Sequence, residues 1–155
     1  RVPRLHVLAG HVDDRLGIFS FYVEHLHYNL VVRLLNDRFG VQVRGGCSCA
    51  GTYGHFLLHV DPNRSRAITE KIDHGDMSEK PGWVRMSIHP TTPDAEVDFL
   101  LHAVEEVARH GERWAGDYVY CPRANEYRHR ERPHLDGADV ERWFEWDLGR
   151  RAGAG

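Results

Sequence analysis

The chain predicts an α+β fold: a small antiparallel or mixed sheet with helices on one face. Three observations predict it. Leu16–Val23 is an apolar, aromatic, β-branched run of strand character. Two later stretches, Tyr28–Phe39 and Asp94–Ala108, carry apolar residues at helical spacing. Strand and helix patterns alternate without the regular βαβ rhythm of a parallel sheet. At 155 residues the chain is long enough for one hydrophobic core, with room for an appended piece.

The elements follow in order. Leu5–Leu8 is a short strand and Leu16–Val23 a buried one. In Tyr28–Phe39 the apolar positions Leu30, Val31, Leu34 and Leu35 share one face, and Gly40 suits the left-handed residue that ends a helix. Val41–Val43 reads as a strand leading into a long glycine-rich turn. Asp61-Pro62 supplies a capping carboxylate and a first-turn proline, which places a helix from Pro62 to about His74. Trp83–Ile88 alternates as a strand. Thr92-Pro93-Asp94 opens the strongest helix, with a stripe of Val97, Leu100, Leu101, Val104, Val107 and Ala108, and Gly111 is expected to close it. Tyr118–Cys121 is a further strand, the polar stretch from Arg123 to His134 a solvated connection, and Asp139–Leu148 a last helix carrying Trp143, Phe144 and Trp146.

Composition excludes several roles. A net charge of −3 gives no general attraction to nucleic acid or anionic lipid. No apolar run approaches the ~20 residues that span a bilayer, and no charged-then-apolar leader opens the chain. Arg128-His129-Arg130-Glu131-Arg132 is too short and too mixed in charge to make an RNA-binding patch. Three cysteines make no disulfide framework, so a reducing, cytoplasmic setting is expected.

Chemistry concentrates at Arg44-Gly45-Gly46-Cys47-Ser48-Cys49-Ala50-Gly51. Two thiols stand one residue apart, and glycines there permit positive φ and leave room around them. Nearby arginine favours the thiolate, the reactive form of cysteine. The turn therefore suits sulfur chemistry. A metal is the competing reading: Cys47, Cys49, His55 and His59 form C-x-C-x5-H-x3-H, two soft and two borderline ligands that zinc accepts in a non-catalytic binding module.

Leu16–Phe21, the run from Gly40 through Cys47-Ser48-Cys49-Ala50, Trp83–Ile88 and Asp94–Val107 together resemble the C-terminal domain of class V aminotransferase-type enzymes. These are the cysteine desulfurases and selenocysteine lyases of fold type I. The resemblance spans residues 5–110. It implies that residues 1–111 are the small domain of such an enzyme and that 112–155 extend it, with the helix near 139–148. It also implies that the chain is a fragment whose large cofactor-bearing domain lies upstream. That fits a first residue, Arg1, that is not methionine.

The resemblance assigns Cys49 as the sulfur-accepting nucleophile, with Arg85 and Arg44 holding the substrate carboxylate. It implies pyridoxal phosphate as cofactor, a small amino acid as substrate, a sulfur-acceptor protein as partner, and a homodimer. The only lysines, Lys71 and Lys80, each follow a glutamate rather than the histidine typical of the family's Schiff-base lysine. The fragment alone is therefore expected to be inactive and to bind no cofactor. The segment between Cys49 and Arg85 is longer than in the best-known desulfurases, and Cys47 is an additional thiol.

Overall fold

A computed structural model describes residues 2–47 and 51–131. Its elements are β1 (Leu5–Val7), β2 (Ile18–Val23), α1 (Tyr28–Phe39), β3 (Arg44–Gly46), α2 (Gly51–Leu57), α3 (Pro62–Asp73), β4 (Trp83–Ser87), α4 (Asp94–Trp114), β5 (Tyr118–Cys121) and β6 (Glu126–His129). Strands β1 to β4 form one antiparallel sheet in the order β1-β2-β4-β3, and β5 and β6 form a separate hairpin. The molecule is thus α+β with an antiparallel sheet. Among the described residues no helix is long and apolar enough to cross a membrane.

Alternation along the strands separates the sheet's two faces. Phe21, Val23, Val84 and Met86 point to one face and are buried beneath α1 and α4. From the helices, Val31, Leu34, Leu35, Ala103 and Val107 close that core, and all five are at most 1 % exposed. The expectation of helices on one face holds for α1 and α4 but not for α2. Tyr53 and Leu57 of α2 line a cavity with Ile18, Ser20 and Trp83, which belong to the opposite face.

Local chemistry sets most helix ends where the sequence placed them. His27 caps α1 by accepting the Asn29 N–H at 3.2 Å, and Gly40 ends the helix in the left-handed region at φ 68°. Asp61 caps α3 by accepting from the N–H groups of Asn63 and Arg64, at 2.9 and 3.1 Å.

Four expectations are corrected. The strand expected at Val41–Val43 forms instead at Arg44–Gly46, because β4 offers its ladder to those residues while Val41 turns into the core. The glycine-rich stretch is not all turn, since Gly51–Leu57 is helix α2. Gly111 does not close α4, which continues to Trp114. A Cβ there would stand 2.5 Å from Leu26 Cδ1 and 3.4 Å from Leu34 Cδ1, so this glycine serves close packing. Finally, Glu126–His129 is not a solvated connection but β6, paired with β5, and Tyr118 of β5 is buried in the main core. The helix expected at Asp139–Leu148 lies outside the described residues.

Candidate functional site: the arginine row and the Cys47 cavities

The open face of the sheet carries the two arginines singled out by sequence. Arg44 on β3 and Arg85 on β4 are register partners, and Ser20 on β2 is the partner of Arg85 on its other side. One row across three strands therefore reads Ser20, Arg85, Arg44. Directly opposed residues hold their Cβ atoms roughly 5 Å apart, and like charges in that position repel. Among the described residues neither arginine has a carboxylate partner. Both line a cavity of about 300 Å³ with Gln42, Val43 and Ser87. Two guanidinium groups without a carboxylate partner among the described residues line one cavity, an arrangement whose chemistry suits an anion, best a planar carboxylate.

Arg44 connects this cavity to a second of about 310 Å³, lined by Tyr28, Asn29, Arg44, Gly45, Gly46, Cys47, Lys80 and Asn125. Cys47 and Lys80 also line a third, again about 310 Å³, with His55, Ser65, Thr69, Ile72 and Pro81. Cys47 is a free, half-buried cysteine between two cavities. Its Cβ is 3.5 Å from where a Cβ on Gly54 would stand, and Trp83 Cζ3 is 3.2 Å from that same point. Gly54 thus lets α2 lie against both the thiol and the indole. Gly45 has a comparable role on the helix-covered face. A Cβ there would meet Asn29 Oδ1 at 2.8 Å, Val32 Cγ2 at 2.9 Å and Tyr28 Cδ2 at 3.0 Å. Gly46, at φ 122°, is the residue of the pair that uses glycine's backbone freedom.

A polar network walls the second cavity. Asn125, in the left-handed region at φ 53°, donates from Nδ2 to Tyr28 Oη at 2.8 Å and accepts the Tyr120 hydroxyl at 2.9 Å. Asn29 Nδ2 donates to the Asn125 carbonyl. Behind this wall the His27 ring stacks on Tyr28 at 4.4 Å and lies within 5.6 Å of Tyr120 and Tyr127. Burial lowers the His27 pKa to about 4, and its Nε2 is enclosed without a hydrogen-bond partner among the described residues. Burial raises all three tyrosines, Tyr120 to about 12; for Tyr28 the bond from Asn125 opposes the rise and the nearby Cys47 adds to it.

Cys49, expected as the nucleophile, lies outside the described residues. The zinc reading needs Cys47, Cys49, His55 and His59 together, and Cys49 lies outside the described residues. Among the described residues no three His, Cys, Asp or Glu side chains converge to hold a metal ion. His55 Nδ1 lies 2.5 Å from Ser65 Oγ. Lys71 is paired with Glu79 on the surface.

Sequence reasoning did not find Tyr28, Asn29, Lys80 or Asn125 as site residues. A signal for Asn125 was present. Tyr118, Tyr120, Tyr127 and His129 alternate around Pro122-Arg123-Ala124-Asn125, the pattern of a hairpin closed by a turn residue. For Lys80 there was none, since its place beside Cys47 depends on the path from α3 to β4. No protein-family model matches the chain, and no curated protein matches it.

Proposed function

We propose that this chain is the carboxylate-binding part of a pyridoxal-phosphate enzyme of the class V aminotransferase type, with cysteine desulfurase or selenocysteine lyase chemistry on a small amino acid. The observation that carries the reading is the register pair Arg44–Arg85. Its mutual repulsion is relieved when a carboxylate bridges the two guanidinium groups, so an amino-acid substrate is held by its one invariant anionic end. The antiparallel sheet supports the same reading: α1 and α4 pack on one face, and on the other, where α2 lies over Ile18, Ser20 and Trp83, Arg44 stays exposed and Arg85 partly so.

In this proposal Cys49, two residues beyond Cys47, keeps the role of sulfur acceptor that the resemblance assigns. The described residues do not themselves fit the cofactor. Lys71 is tied to Glu79, and Lys80 follows Glu79 at the margin of the Cys47 cavities. The Schiff-base lysine is therefore assigned to another part of the protein, and no step is derived through the cofactor. A sulfur-acceptor protein, a homodimer and a cytoplasmic setting complete the proposal.

The test uses the complete protein loaded with cofactor. Arg85→Ala is expected to raise the KM for the amino acid by roughly 10–100-fold, as loss of a charge-assisted pair does. Cys49→Ser should abolish sulfide release while the cofactor's visible absorbance persists. Sulfide release undiminished in Cys49→Ser would remove that residue's role, and an unchanged KM in Arg85→Ala would remove the carboxylate clamp.

A further inference from the structure

We infer that His27 is an acid-sensitive clasp: it holds the tip of the β5–β6 hairpin on the start of α1, and its protonation lifts that tip while the main core stays closed. The inference needs neither the cofactor nor Cys49, so it stands apart from the proposed function. It rests on how one histidine is bonded and enclosed, and on how the hairpin is attached.

Among the described residues the hairpin shares no ladder with the main sheet. It is attached at two ends. Its base is held by Tyr118, which is buried in the main core and donates to Asp37 Oδ2 at 3.1 Å, and by Asp117, which accepts from Arg38 Nη2 at 2.8 Å. Its tip rests on the first turn of α1. There Asn125 donates to Tyr28 Oη at 2.8 Å, and Asn29 donates to the Asn125 carbonyl. The His27 ring lies 5.2 Å from the Tyr120 ring and 5.6 Å from the Tyr127 ring. His27 thus joins the cap of α1 to both strands of the hairpin.

The bonding of the ring makes the clasp sensitive to acid. Nδ1 accepts the Asn29 N–H at 3.2 Å, so the neutral ring carries its proton on Nε2. Nε2 is enclosed and has no hydrogen-bond partner among the described residues. A second proton goes to Nδ1, which then meets the Asn29 N–H as donor against donor. The cap bond is lost, and a charged ring is left among three tyrosines. Tyr28 of α1, Tyr120 of β5 and Tyr127 of β6 are the titratable groups packed against the ring. Burial raises all three, so they stay neutral in acid. Cys47 acts on Tyr28, and Asp76 and Cys121 act on Tyr120, but burial alone lowers the His27 pKa, from 6.5 to about 4. Burial therefore outweighs any cation–π attraction from the tyrosine rings. Lifting the tip returns the ring to water and to its ordinary range. The closed form is thus fully favoured above about pH 6.5 and loses ground as pH falls toward 4. The base, anchored in the core, is the hinge. Asn125 lines cavities of about 420 and 310 Å³, and a lifted tip opens both.

The test is native-state hydrogen exchange of the full chain, followed by NMR near neutral pH and near pH 4.5 over a urea series below the unfolding midpoint, with the intrinsic pH dependence of exchange removed. A two-stranded hairpin off its support is marginal, so the ladder amides of β5 and β6 exchange when the tip lifts. They are expected to be at least about tenfold less protected than the Leu34 and Leu35 amides of α1, and to depend less on urea. Between the two pH values their protection should fall by at least a further ~10-fold. His27→Asn keeps a capping acceptor without a titrating ring, and there the fall should shrink to less than about threefold. Asp37 and Asp117 remain in that variant. A fall that persists in it would assign the acid response to those carboxylates at the base and overturn the inference. Hairpin amides that match Leu34 and Leu35 in protection and urea slope in the unsubstituted protein would overturn it too, because the hairpin would then open only with the whole molecule.

Discussion

On β4, Val84 and Met86 point into a core closed by α1 and α4, while Arg85 between them points to the row it shares with Ser20 and Arg44. Adjacent residues of one short strand thus belong to two different regions. The covered face is apolar and sealed, so its residues are held by packing. The open face keeps two like charges side by side, an arrangement that no hydrophobic gain requires. What the difference teaches is that adjacent residues of one short strand meet different surroundings, a packed core on one face and a cavity with two guanidinium groups on the other.

The sharpest break comes from the sealed side. Leu34 is fully buried between the sheet and α4, and Leu34→Ala should cost about 3 kcal/mol, read as a lower urea midpoint.

A second test uses pH. The folded-state pKa of His27 is lowered from 6.5 to about 4 by burial. Between those values the unfolded chain binds more protons than the folded one, so stability rises with pH. The contribution is complete above about pH 6.5, is lost as pH falls toward 4, and declines no further below that. Allowing for the ring's partial solvent contact, it amounts to roughly 2 kcal/mol. His27→Asn keeps a capping acceptor and removes the titration, so the difference between the two urea midpoints should shrink toward acid pH. A constant difference would assign the acid sensitivity to other groups.

Gly45→Ala probes the seam between the faces. Its Cβ would crowd Asn29, Val32 and Tyr28, for a cost of about 1–2 kcal/mol by thermal melting. The smallest effect on stability belongs to the open face. Arg85→Ala should change it by less than about 0.5 kcal/mol, and toward stabilisation if the Arg44–Arg85 repulsion dominates. A large loss would show that Arg85 is a structural residue and would weaken its assignment to substrate.

Much of the covered face was legible in the sequence. Leu30, Val31, Leu34 and Leu35 announce their helical stripe, and Asp61-Pro62 and Gly40 mark their boundaries, because caps and periodicity act over a few residues. The open face was legible only as a set of residues. Arg44 and Arg85 could be named, but their opposition is a matter of register between strands forty residues apart.

Helix α2 shows the same limit. Gly51 and Gly54 lower its intrinsic propensity, and the contact of Gly54 with Trp83 and Cys47 makes the glycine an advantage. Strand β5 was expected at Tyr118–Cys121 and lies there, but β6 was misread as part of a polar connection because half its residues face solvent. The bonds that bring Asn125 to Tyr28 and Asn29 join residues nearly a hundred positions apart.

By itself, then, the sequence determined the α+β class, the two core helices, both ends of α1 and the start of α4. Each of these depends on neighbours within one or two turns of chain. Only the tertiary structure decided that Arg44 and Arg85 share a row, that Cys47 sits between two cavities beside Lys80 and His55, and that His27 lies enclosed among three tyrosines. Those arrangements depend on strand register and on contacts between distant segments, which become defined when the core closes.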